Sequence, residues 1–445
     1  MARFQVVKLA SDGARVQPSH GEARTKDCDS IRRRRGPLRY KFLVPGESWT
    51  SLISDILDGY INEGGYPHRQ HVHSSKSLAF SSSSNPSPKP TRPTAQSQGH
   101  TTMKFTSTVT ALAALVCAAS ATPLVKRLPI GPDPAFSVPQ SQLASVLECQ
   151  NGSPSSQSNP ILLVPGTGVT GRQSFDSNWI PLSSQLGYSP CWISPPPFML
   201  NDSQVNAEYI VNAVNTLYAG SGFKKVPVLT WSQGGLATQW ALTFFPSIRS
   251  KVDRFMAFAP DYKGTVEAVF LTVPGLASQS VWQQQAQSAY LTALQNAGGL
   301  TKIVPTTNLY SVFDDIVQPQ VSNSPLDSSY LFNAKNIQAQ TVCGPAFLID
   351  HAGSLTSQFS YIVGKSALAS GTGEAQSSDY SITDCNPLPA DPLTPQQKAE
   401  ASGLLLVAGA NVVAGPKQNC EPDLKPYARR FAIGKKTCSG VNTGF

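Results

Sequence analysis

Long hydrophobic runs are missing from this chain of 445 residues. Nothing reaches the roughly 18 consecutive apolar residues that a membrane span needs, so no transmembrane anchor is expected. Charge is scarce as well. Only 14% of residues are Asp, Glu, Lys or Arg while 40% are hydrophobic, a balance that excludes wholesale disorder. No C-x-x-C pair occurs, and the last six cysteines lie 18 to 152 residues apart, which fits no zinc pattern, so no metal site is expected. No internal repeat is visible. Histidine is rare: of six, His20, His68, His71, His73 and His100 all precede residue 128.

A formal net charge of +8 ordinarily suggests a nucleic-acid or anionic-membrane partner. Its distribution removes that suggestion. Residues 1–127 hold 18 of the 35 basic and 8 of the 27 acidic residues, a local net of +10. The 17 basic and 19 acidic residues that remain leave 128–445 at −2, so no nucleic-acid partner is implied.

Residues 1–102 lack sustained periodicity and contain Ser81-Ser82-Ser83-Ser84-Asn85-Pro86-Ser87-Pro88, too polar to bury a core, so they read as disordered. The chain changes character at Met103. Lys104, the apolar stretch 111–119 and the small-x-small triplet Ala119-Ser120-Ala121 make 103–121 a secretory signal peptide. Residues 122–127 then read as a propeptide ending in the dibasic pair Lys126-Arg127, leaving Leu128 as the mature N-terminus. A signal sequence must lie near the start to be engaged. Residues 1–102 are therefore expected to be an upstream over-extension of the reading frame, with translation starting at Met103; the alternative is a genuine long leader or an intracellular isoform.

Behind a signal peptide, Cys149, Cys191, Cys343, Cys385, Cys420 and Cys438 form an even set expected to make three disulfides, with the pairing open. Asn151-Gly152-Ser153 and Asn201-Asp202-Ser203 are glycosylation sequons. A secreted, extracellular protein is expected.

From residue 128 strand-like and helix-like segments alternate. Apolar runs at 161–164, 226–231, 252–260 and 308–313 read as buried strands, with a further strand expected at 339–343. A helix capped at 201–203 runs to Gly220, and another occupies 235–245. This alternation predicts a mostly parallel sheet covered by helices on both faces, in a single domain spanning 128–445. The stretch 404–415 is too short to span a bilayer and reads either as core or as an apolar rim.

Thr230-Trp231-Ser232-Gln233-Gly234-Gly235 is the most informative segment. An apolar strand runs into a serine, two glycines and a helix, the context of a nucleophile elbow, although Thr230 stands where the general pattern has glycine. His351 is the one histidine after residue 128, so a histidine-activated serine has no other base. The acid must come between them in chain order. Asp314, Asp315 and Asp261 each follow a strand and all remain open. An oxyanion hole would combine the N–H of Gln233 with Thr167 from the loop Pro165-Gly166-Thr167-Gly168. That loop lacks Gly-Lys-Ser/Thr and is a poor phosphate binder, and no cofactor is expected.

With these segments, Ala259-Pro260-Asp261, Ile349-Asp350-His351 and the six cysteines, the chain resembles the Candida antarctica lipase B-like family of fungal lipases. The resemblance runs from about Leu128 to the C-terminus. It implies an α/β-hydrolase fold and serine-ester hydrolysis, with Ser232, Asp314 and His351 as the triad and Thr167 and Gln233 as the oxyanion hole. It implies disulfides pairing Cys149 with Cys191, Cys343 with Cys385 and Cys420 with Cys438. Its substrate pocket maps onto Trp231, Asp261, Ser174, Val169, Ile316, Leu405, Ala408 and Val412. Two departures stand out. Val169 replaces a threonine beside the alcohol-side pocket, and residues 267–279 differ where a small mobile helix is expected.

The implied reaction is two-step acyl transfer on lipid or ester substrates such as triacylglycerols, with hydrolysis or transesterification and no metal or cofactor. A monomer meeting its substrate at a lipid–water interface is expected. A short-chain carboxylesterase or polyester hydrolase would use the same triad. A non-catalytic secreted hydrolase-like binding protein would normally have a broken triad, whereas all three members stand in this chain.

Overall fold

The computed structural model describes residues 128–268 and 272–444. The expected disordered segment, signal peptide and propeptide lie outside the described residues. What is described falls in one compact unit.

Seven strands form the central sheet: β1 Leu147–Cys149, β2 Pro160–Val164, β3 Ser189–Ile193, β4 Val226–Trp231, β5 Val252–Phe258, β6 Thr306–Tyr310 and β7 Lys335–Gln338. Their order is β1-β3-β2-β4-β5-β6-β7. Only β1 is antiparallel to its neighbour; every other pairing is parallel. Parallel strands need crossover helices, and these cover both faces.

The apolar runs explain the two layers. Side chains alternate along a strand, so a continuous apolar run feeds two cores. Leu162, Val164, Val228, Phe255 and Ala257 face one cluster, with helix α1, Ser203–Gly220, and helix α2, Gln233–Phe244. Ile161, Leu163, Leu229, Met256 and Phe258 face the other, with Trp179 and helix α3, Gln358–Ala369. Helix α1 starts as its sequence suggests, the Asp202 side chain accepting from Gln204 N–H.

The strand expected at 339–343 is a helix, Ala339–Cys343, and the sheet edge is β7 just before it. Thr341, Val342 and Cys343 resemble a strand by propensity, but the Thr341 hydroxyl bonds back to the Gln338 carbonyl and Cys343 is tied to Cys385. Local propensity is overridden by these contacts. Strands β1 and β3 were not anticipated. They pair through Cys149 and Cys191, which a disulfide joins. The third disulfide links Cys420 and Cys438.

Helix α4, Leu404–Ala414, buries only Leu404 and Ala408 and leaves Leu406, Val407 and Val413 exposed. It is therefore an apolar rim rather than core. Asn411 Nδ2 donates to the Gly168 carbonyl at 2.8 Å, fixing the helix against the loop after β2. No described helix is long and apolar enough to cross a membrane.

Candidate active site

Ser232 sits between the end of β4 and the start of α2 with φ 56° and ψ −128°, a left-handed backbone that L side chains seldom adopt. Two hydrogen bonds hold it there: Ser232 N–H to the Phe258 carbonyl at 2.9 Å, and Gly235 N–H to the Ser232 carbonyl at 2.8 Å. Such strain persists only where the surroundings over-determine it. The glycine after the turn is required by space. A Cβ on Gly234 would lie 2.5 Å from the Val164 carbonyl oxygen and 2.6 Å from that of Pro165. Helix α2 is thereby pressed against the exit of β2, which delivers the loop carrying Thr167.

Asp314 and His351 meet at the same end of the sheet. His351 Nδ1 lies 3.0 and 2.9 Å from the two carboxylate oxygens of Asp314, and both side chains are buried. Asp314 Oδ1 also accepts from the N–H groups of Ile316 at 2.9 Å and Val317 at 2.7 Å, while Gln318 Nε2 donates to the Asp314 carbonyl. The carboxylate is thus oriented by its own turn. Strand β6 ends at Tyr310 rather than Phe313, so Asp314 stands on this turn and not at the strand terminus. Asp315 takes a different partner, accepting from the His351 backbone N–H at 3.1 Å.

Trp231 completes the link to the serine. Its Nε1 donates to the His351 carbonyl at 3.1 Å, and the two rings lie 5.2 Å apart. Burial pushes the His351 pKa down, but Asp314, Asp315 and Asp261 outweigh it and leave the imidazole above the ordinary histidine value. No hydrogen bond joins Ser232 and His351 among the described residues.

The Thr167 hydroxyl donates at 3.2 Å to Gln233 Oε1 and at 3.0 Å to Gln284 Oε1. Gln233 is the first residue of α2, so its backbone N–H has no intrahelical acceptor and is available to an anion. Gln284 was not singled out in the sequence; only its packing beside Thr167 reveals it.

The remaining pocket positions divide by chemistry. Val169, Trp231 and Ala408 share one buried apolar cluster, with Leu405 at its margin. Val412 reaches the same loop, its Cγ2 lying 2.9 Å from where a Gly168 Cβ would stand. Ile316 is half-buried on the Asp314 turn. Ser174 and Asp261 are fully buried, and neither Ser174 Oγ nor either Asp261 oxygen has a hydrogen-bond partner among the described residues. Burial pushes Asp261 up to about 7. Asp314, not Asp261, bonds the imidazole ring, and Asp261 acts on His351 through its charge. Of the sequons, Asn151 is exposed and Asn201 half-buried.

Gly166, Gly168 and Gly171 stand at G-x-G-x-x-G spacing. Packing accounts for it. The helix it opens has five residues, and a Cβ on Gly171 would lie 2.6 Å from the Ile193 carbonyl oxygen. Among the described residues no group of three or more His, Cys, Asp or Glu is arranged to hold a metal ion.

Comparison with known proteins decides the family. The chain is 72% identical to lipase B of Pseudozyma antarctica over 341 residues, covering 77% of this chain and all of that one. The chain belongs to the lipase B family. It is a carboxylic ester hydrolase of the α/β-hydrolase fold. The crystal structure of Aspergillus fumigatus lipase B superposes with a TM-score of 0.62 at 32% identity, covering 68% of this chain and 78% of that one. No family model matches the chain. The lipase B relationship accounts for the mostly parallel sheet covered by helices.

Proposed function

We propose that the protein is a secreted lipase or esterase that cleaves carboxylic esters through an acyl-enzyme, with Ser232 as nucleophile, His351 as base and Asp314 as its orienting acid. The observation that carries this reading is the pairing of His351 Nδ1 with both Asp314 oxygens beside a serine on a strained strand–helix turn. With Nδ1–H held by Asp314, Nε2 is left to take the Ser232 proton. Ser232 attacks the ester carbonyl, and the developing oxyanion is met by Gln233 N–H and the Thr167 hydroxyl. His351 returns the proton to the leaving alcohol. Water or a second alcohol then releases the acyl group.

Lipid esters are the substrate class supported by the apolar rim. Leu406, Val407 and Val413 on α4 and Leu348 before His351 are exposed, as are Val266, Val273 and Leu276. Leu405, Ala408 and Val412 would meet the acyl chain, and Val169, Ser174 and Trp231 the alcohol. Secretion follows from the signal peptide 103–121 and cleavage after Arg127, with glycans at Asn151 and Asn201. Assay of protein beginning at Leu128 on emulsified triacylglycerols and soluble short-chain esters, beside Ser232→Ala, tests the reading. Hydrolysis of emulsified long-chain esters that disappears in Ser232→Ala is expected; activity confined to soluble short esters favours the esterase alternative, and an active Ser232→Ala overturns the triad.

A further inference from the structure

We propose that Asp315 is a positioning residue for the reaction, setting the backbone of His351 while its charge helps hold the imidazolium. The inference rests on the triad reading given above. Adjacent carboxylates at 314 and 315 grip one histidine from two sides. Asp314 holds the ring at Nδ1, and Asp315 Oδ1 accepts from the same residue's backbone N–H at 3.1 Å. A third contact comes from β4, where Trp231 Nε1 donates to the His351 carbonyl. The ring, the N–H and the carbonyl of the base are thus each fixed by a different residue. Two of those residues share one turn, so any movement of that turn moves ring and backbone together.

The need for such a clamp follows from the surroundings. His351 belongs to no helix or strand; it follows the loop 344–350 and precedes the short helix Gly353–Thr356. Without a side-chain acceptor its N–H would be left unpaired next to a buried ring, at a cost in both stability and geometry. Displacing a base by about 1 Å can lower the rate by roughly a hundredfold.

The charge matters as well as the hydrogen bond. The acidic groups that act on His351 are Asp314 and Asp315 on their shared turn and Asp261 after β5. Burial raises the Asp315 carboxyl above its usual range, with Asp314 and Asp350 adding to the shift, while His351 opposes it through its charge and its backbone N–H. Removing the Asp315 charge while keeping an acceptor therefore separates the two contributions. Asp315→Asn retains an oxygen for the His351 N–H and loses the negative charge. Asp315→Ala loses both.

The experiment is the pH dependence of kcat/KM and the separate kcat and KM values for wild type, Asp315→Asn and Asp315→Ala, normalised to the serine sites titrated by a phosphonate. Asp315→Asn is expected to move the acidic limb to lower pH, on the order of half a pH unit, with kcat on the plateau close to wild type. Asp315→Ala is expected to lower plateau kcat by about tenfold with KM little changed, as misplacement of a base requires. Wild-type profiles for both variants would overturn the assignment, whatever their thermal stability. Retention of hydrolysis by Ser232→Ala or His351→Ala would instead remove the triad reading itself, and the assignment with it.

Discussion

Trp231 Nε1 donates to the carbonyl oxygen of His351 at 3.1 Å, so the residue preceding the proposed nucleophile is bonded to the proposed base. The contact bridges 120 positions of sequence. It makes the elbow and the histidine loop one structural unit.

Replacing Asp314, the proposed acid, is expected to leave the scaffold and remove the chemistry. In Asp314→Asn the amide oxygen can still accept from the N–H groups of Ile316 and Val317. Its amide nitrogen, facing His351 Nδ1, favours the wrong imidazole tautomer. A fall in kcat of about 10⁴ is expected, with an unfolding transition like that of wild type. Steady-state kinetics on a soluble ester, alongside a thermal melt, checks it.

Activity should decline on the acidic side at a pH above the ordinary histidine range. Burial opposes the charged ring, but the three carboxylates more than offset it, so His351 stays protonated to higher pH than an isolated histidine. Only the neutral ring can accept the Ser232 proton. The kcat/KM profile should therefore fall below a midpoint higher than about 6.5. A profile flat down to pH 4 contradicts the role of His351.

Stability has its own pH signature in Asp261. Burial raises its pKa to about 7, so the folded protein holds a proton that the unfolded chain releases near about 4. The folded state binds more protons across that interval. The stabilisation is fully present below the unfolded value and is lost as pH rises through about 7. Asp261→Asn removes the titration. Its melting temperature should fall less than that of wild type between pH 4 and 8, the difference reaching at most about 4 kcal/mol in free energy. Parallel melts across that range decide it.

The elbow tolerates no side chain at 234. With a Cβ due 2.5 Å from the Val164 carbonyl oxygen, Gly234→Ala must push β2 and α2 apart. A loss of about 2–3 kcal/mol is expected. Because the displaced strand leads into the Thr167 loop, kcat should fall too. Denaturant unfolding and kinetics on the same sample test both effects.

How much of this was legible in the sequence depended on distance along the chain. The elbow could be read because strand, serine, glycines and helix are contiguous. His351 could be read by elimination, since the other histidines precede residue 128. The choice among Asp261, Asp314 and Asp315 could not be made from residue types, because all three follow strands. It depended on which carboxylate the turn after β6 aims at the ring. Strands β1 and β3 are short, and β3 carries Pro190, which weakens any strand reading. The helix at 339–343 was misread because its β-branched residues favour a strand, whereas a tertiary disulfide and the Thr341 turn fix the outcome.

The central claim is that Ser232 is the nucleophile, and covalent labelling addresses it most directly. Folded protein treated with a serine-reactive phosphonate is expected to gain one adduct, mapped by peptide mass spectrometry to Ser232, with loss of hydrolysis in step with labelling. Full hydrolytic activity in protein that carries no adduct at Ser232, or an inactivating adduct on a different serine, would contradict it.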